Sequence, residues 1–194
     1  MIAPSSSLDQ QRAQFTAQRL LAMPLAGTVA WAVVGVAGLT LSSPVQMVWA
    51  LYLSTGSIVY LGLFFSRFTG ENFLDRTKPK NAFDILFFST VAMSLLVYAI
   101  AIPFFQADYT SLPLTVGILS GLMWLPLSWI IQHWVGIFHA VARTVLVLAT
   151  WYAFPAHRFI AIPFLIVGLY VVTILILEYR WRAVRRENAV ALSA

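Results

Sequence analysis

Residues 135–154 read VGIFHAVARTVLVLATWYAF. Twenty residues is the length of helix that crosses about 30 Å of hydrocarbon. The run is continuously apolar, whereas a barrel strand alternates over about ten residues. It is therefore read as a membrane-spanning helix. Most of its exceptions to apolarity are ordered. Gln132, just ahead of the run, and Gly136, His139, Arg143 and Thr150 are spaced 4, 3, 4 and 7. At about 100° per residue all five fall within roughly 40° of one line along the helix. Such a stripe is expected to face a bundle interior or a water-filled cavity.

Working outward, five more apolar runs of this kind appear. The six spans are placed at 20–41, 45–65, 84–105, 112–131, 135–154 and 159–177. Residues 1–19 form a polar N-terminal segment. It lacks the basic start and short apolar run of a signal peptide. Residues 66–83 form one long charged loop with room for a small surface helix, and 178–194 form a basic tail. Asn81 followed by Asp84 reads as a helix start, since Asn caps well and a carboxylate suits the first turn. The other connections are short, which makes sequential helices antiparallel neighbours. The expected fold is an all-α, polytopic bundle of six transmembrane helices forming a single domain.

Composition agrees. Of 194 residues, 60% are hydrophobic and 10% charged, against about 25% charged in a soluble domain. Mean hydropathy is +0.84. These values exclude a water-soluble globular enzyme, a coiled coil and a disordered chain. The absence of cysteine excludes a disulfide framework, a thiol nucleophile and thiolate-held metal.

Charge sets topology. Arg12, Arg19, Arg67, Arg76, Lys78, Lys80, Arg180, Arg182, Arg185 and Arg186 all fall on one side of a six-span arrangement, and only Arg158 on the other. The positive-inside rule then places both termini in the cytoplasm of a cell with a plasma or inner membrane. The basic residues are explained by loop retention, and no motif points to nucleic acid.

Chemistry-bearing residues are few. Arg143 sits nine residues past Trp134 and eleven before Phe154, near mid-membrane. A guanidinium there costs at least about 2.5–3.5 kcal/mol on insertion scales. Something must offset this cost. The candidate binding residues are Arg143, His139, Gln132 and Thr150, with a small anionic solute or a lipid headgroup as ligand. The alternative is an arginine that snorkels or pairs within the bundle. His133 and His157 fall at opposite faces from one another, so neither metal nor cofactor is expected, and no catalytic residue is assigned. Ala22, Ala26 and Ala30 in the first span and Gly117 and Gly121 in the fourth have the small-residue spacing that brings helices close. Pro103, Pro126 and Pro163 are positioned to kink spans. The deeper Trp31, Trp124 and Trp129 are read as core.

Two stretches carry a resemblance: LYLSTGSIVYLGLFFSRFTGENF at 51–73 and LPLTVGILSGLMWLPLSWII at 112–131. They resemble a family of small bacterial integral membrane proteins known only as a domain of unknown function. That likeness implies a multi-span inner-membrane protein and supplies no catalytic residues. More loosely, six spans with alanines four apart is similar to the substrate-binding subunits of energy-coupling-factor vitamin transporters. That similarity implies that Ala22, Ala26 and Ala30 dock on a coupling subunit. Three functions follow: binding or transport of a small solute or anion near Arg143, a non-catalytic structural or regulatory subunit contacting a partner subunit or a second copy, and a membrane enzyme acting on lipid.

Overall fold

The computed structural model describes residues 7–75 and 81–193, with side chains as far as residue 186. The described residues fold into helices only. A short helix, α1 (Leu8–Thr16), precedes α2 (Ala22–Thr40), the first of the long apolar helices. Then come α3 (Pro44–Gly56) and α4 (Ile58–Thr69), α5 (Ala82–Leu96) and α6 (Tyr98–Ala107), α7 (Ser111–Gly121) and α8 (Trp124–Ile131), α9 (Val135–Ala153) and α10 (Arg158–Ser193).

Five helical stretches are long and apolar enough to cross a membrane, and six if α3 and α4 count as one span bent by 44°. Five of the six expected spans correspond to helical stretches of spanning length, two of them divided, and the second is the bent α3–α4 pair. Division has local causes. Pro126 has no N–H to donate to the Leu122 carbonyl, and α7 stops at Gly121 before α8 restarts at Trp124. The α3–α4 bend falls at Ser57, whose hydroxyl donates to the Ser54 carbonyl at 2.8 Å. Pro103 lies inside α6, which is separated from α5 only at Val97, and Pro163 lies inside an uninterrupted α10.

A small surface helix falls in the N-terminal segment, and among the described residues between α4 and α5 there is none. α1 begins with a capping box in which the Ser7 hydroxyl accepts from Gln10 N–H and the Gln10 side chain accepts from Ser7 N–H. Its Phe15 is buried against Phe87, and Arg12 lies over Trp129 and Phe83. Trp129 is thus an exposed cover for α1 and not part of the core. Residues 71–75 are non-helical, and Arg76, Lys78 and Lys80 lie outside the described residues. Asn81 does cap α5, accepting from Phe83 N–H at 2.8 Å.

The end of the bundle carrying α1 is tied together by polar contacts. Glu71 is buried and accepts from the N–H groups of Leu21 (2.7 Å) and Ala22 (2.9 Å), the otherwise unpaired start of α2. Arg19 bridges to Glu178 at 2.8 Å, and Arg180 donates to the Thr16 carbonyl at 2.7 Å. Glu178 also pairs with Arg182 at 2.9 Å, one turn on in α10.

At the centre, α2 packs against α10 and α4, and α10 against α9. Ala22, Ala26 and Ala30 are buried inside this packing, none more than 1% exposed. This corrects the coupling-subunit reading: the alanines face the chain's own helices and present no outward docking surface.

Candidate functional site

Arg143 stands at the middle of α9 and is fully buried. Its long side chain reaches α7, where Gly121 leaves room for it and Gly117 supplies a carbonyl. The Gly117 carbonyl accepts from Arg143 Nε at 2.6 Å. A Cβ at Gly121 would lie 2.8 Å from Arg143 Cδ. The Gly117-x-x-x-Gly121 spacing is therefore the seat of the arginine as well as a helix contact.

The rest of the guanidinium meets hydroxyls and rings. One terminal nitrogen donates to Tyr170 Oη at 3.1 Å, and the other to Ser120 Oγ at 3.0 Å. A looser contact of 3.5 Å runs to His139 Nε2, one turn back on α9. Trp31 and Tyr170 place their rings 5.4 Å from the guanidinium carbon, within the range of a cation–π contact. Four helices, α2, α7, α9 and α10, thus converge on one charge.

His139 is held from both sides. Its ring stacks on Trp124 with centroids 4.4 Å apart. Its Nδ1 lies 2.8 Å from Thr173 Oγ1, which itself donates to the Leu169 carbonyl at 2.8 Å. With the threonine proton committed, Nδ1 must be the donor. Nε2 then presents its lone pair to Arg143, a tautomer assigned from the network. Here the histidine donates to the hydroxyl, the reverse of nucleophile activation.

The donors outnumber the acceptors. Arginine has five N–H groups, and four bonds engage them. Trp31 Nε1 is buried and has no hydrogen-bond partner among the described residues. No carboxylate among the described residues pairs with Arg143. The hub is therefore a net positive charge held by neutral dipoles.

Beside it lies a cavity of about 40 Å³, room for a few waters. Ser120, Trp124 and Tyr170 form its wall on the hub side. Thr55, Ser94 and Tyr98 line it next to the breaks in the α3–α4 and α5–α6 spans, and the rest of the lining is apolar.

The five-residue stripe is realised by three members. Gly136 is buried, and a Cβ there would clash with the Trp124 carbonyl, so α8 and α9 approach closely where His139 enters the cluster. Gln132 is exposed and takes a left-handed conformation (φ 50°) that ends α8. Because α9 starts only at Val135, the helical angle does not carry through the turn to Gln132. Thr150 is half-buried near the far end of α9, outside the hub. The partners least visible in the sequence were Tyr170 and Thr173. They are three apart in an otherwise apolar stretch of α10, and that spacing puts both on one face.

The bundle and its buried cationic hub define a polytopic helical membrane protein with a polar centre. The family model of DUF7010, a family of unknown function, matches residues 8–180, and the chain belongs to that family. No curated protein and no solved structure matches it.

Proposed function

We propose that the chain is a multi-pass protein of the bacterial inner membrane, with both termini cytoplasmic, that binds a small anionic group beside Arg143. The observation carrying this reading is the donor surplus: a fully buried guanidinium without a carboxylate, next to an unpartnered Trp31 indole N–H and a cavity walled by Ser120 and Tyr170. Neutral dipoles stabilise a cation but leave its charge. An anion in the cavity would offset the remaining cost of placing that charge at mid-span, reaching the guanidinium side of the hub through Ser120 and Tyr170, the two cavity residues bonded to Arg143.

A second reading has its own support. Three of the four bonds of Arg143 tie α9 to α7 and α10, which suits a non-catalytic structural or regulatory subunit whose partner is another membrane protein. Melting of purified protein in detergent separates the two. Chloride, nitrate, acetate and phosphate are titrated into wild type and Arg143→Lys. A bound anion stabilises the folded state by about 2.7 kcal/mol at a hundred times its dissociation constant. Stabilisation of wild type that is weakened in the variant supports the anion site. A flat wild-type response alongside a merely unstable variant supports the structural subunit.

A further inference from the structure

We infer that the anion is the head of a single-chain amphiphile, which enters the site sideways from the bilayer between the second and third spans. The inference rests on the anion-binding reading of Arg143 and adds the ligand's class and its route.

A second concavity lies toward the opposite end of the bundle from α1. It is a groove of about 430 Å³ between the start of α3 and the end of α6, lined by Val45, Val48, Trp49, Tyr52, Phe105 and Tyr109. Its volume is in the range of small-molecule pockets. Its lining is apolar, and Val45, Trp49 and Tyr109 are exposed on the outer surface of the bundle. By the span bounds this surface stands where the second span begins and the third ends, at the rim of the hydrocarbon layer.

The groove and the cavity beside Arg143 are separated by one thin partition. Tyr52 lines the groove and Tyr98 lines the cavity, and their rings touch at a centroid distance of 5.5 Å. Tyr98 Oη lies 2.6 Å from Thr55 Oγ1. The Thr55 proton goes to the Leu51 carbonyl, so Tyr98 is the donor across the partition. Two span breaks flank it, at Ser57 and Val97. A broken helix can hinge without losing a continuous hydrogen-bond ladder. Opening therefore costs the Tyr98–Thr55 hydrogen bond and the ring contacts of Tyr52 with Tyr98 and Phe105.

Beyond the partition the chemistry changes. The groove is apolar, whereas the cavity holds Ser120 and Tyr170, both bonded to the Arg143 guanidinium. A ligand spanning the two needs an alkyl chain at one end and a negative head at the other. A free inorganic anion would not use the groove, and a neutral lipid would not answer the charge.

The probe is 12-bromododecanoate, below its micellar concentration, with wild-type protein in dodecyl maltoside. With the head at Arg143, the bromine end lies in the groove and quenches Trp49, one of seven tryptophans. Dodecanoate is expected to bind at least about tenfold more tightly than dodecanol, the least that one charge-assisted hydrogen bond contributes. Trp49→Phe is expected to remove most of the saturable quenching while dodecanoate still raises the melting temperature. Tyr98→Phe is expected to accelerate association several-fold. Equal affinity for acid and alcohol overturns the inference, as does saturable quenching that survives Trp49→Phe or an unchanged rate in Tyr98→Phe. If acetate and chloride stabilise the protein and dodecanoate binds no better than acetate, the anion site stands and the amphiphile falls. If no anion binds, both fall.

Discussion

Arg143 runs past Gly121 so closely that the glycine has no room for a methyl group: a Cβ there would stand 2.8 Å from Arg143 Cδ and 3.1 Å from Nε. The buried charge at the centre of α9 is thus positioned by an absence of side chain on α7. Gly121→Ala is expected to destabilise the protein by about 1–3 kcal/mol through overpacking. Gly168 is the control, because a Cβ there meets nothing within 4 Å. Gly168→Ala is expected to be neutral or stabilising, by up to about 1 kcal/mol, since a mid-helix glycine is entropically costly. Denaturation in mixed micelles compares the two.

The His139–Thr173 contact makes a separate claim. Thr173 accepts from the ring and passes its own proton to Leu169. Thr173→Val keeps the shape and leaves a buried ring N–H without its acceptor. A loss of about 1–3 kcal/mol is expected, with Thr173→Ser restoring most of it. Equal stability of the valine and serine variants in the same unfolding assay would show that the hydroxyl is not the acceptor.

Much of this was legible in the sequence, for physical reasons. Continuous hydrophobicity at bilayer length locates spans, because backbone groups in lipid must bond within their own helix. Asn81 was found as a cap because capping is local. Arg143 and His139 were found together because both lie inside one unbroken helix, where angular phase holds. Gln132 was grouped with them and lies outside, since phase is lost at its left-handed backbone. Ser120, Tyr170 and Trp31 come from three other helices. Which faces of separate helices meet is decided by packing, which one sequence does not encode locally. Glu71 falls in the long 66–83 loop, and its role as the cap of α2 depends on a contact about fifty positions back.

Glu71 gives a pH dependence with a definite sign. Burial pushes its carboxyl above the usual carboxylate range, outweighing the Ala22, Thr69 and Leu21 hydrogen bonds and the Arg19 charge, which all pull it down. The folded state then holds the proton more tightly than the unfolded chain. Wild type is expected to lose stability relative to Glu71→Gln as pH rises from about 4.5 through the raised value, and to level off above it. Melting temperatures of both proteins between about pH 4.5 and pH 8 check this. Glu71→Ala, which uncaps α2, is expected to cost about 1–2 kcal/mol.

Topology is directly testable because the chain has no cysteine. Ser7 and Ala156 are both exposed, one before α1 and the other between α9 and α10. The positive-inside distribution leads to one expectation. A membrane-impermeant maleimide labels Ala156→Cys in intact cells, and Ser7→Cys only after permeabilisation.

The central claim is that the unpartnered donors around Arg143 take an anion, and the Trp31 indole N–H reports on it most directly. Indole 15N–1H spectra of the protein in micelles, with Trp31 assigned by Trp31→Phe, are recorded during acetate titration. A saturable downfield shift of the Trp31 resonance, weakened in Arg143→Lys, is expected as the N–H gains an acceptor. A Trp31 resonance that stays fixed through the titration in folded protein would contradict the anion site and leave Arg143 as a structural pin.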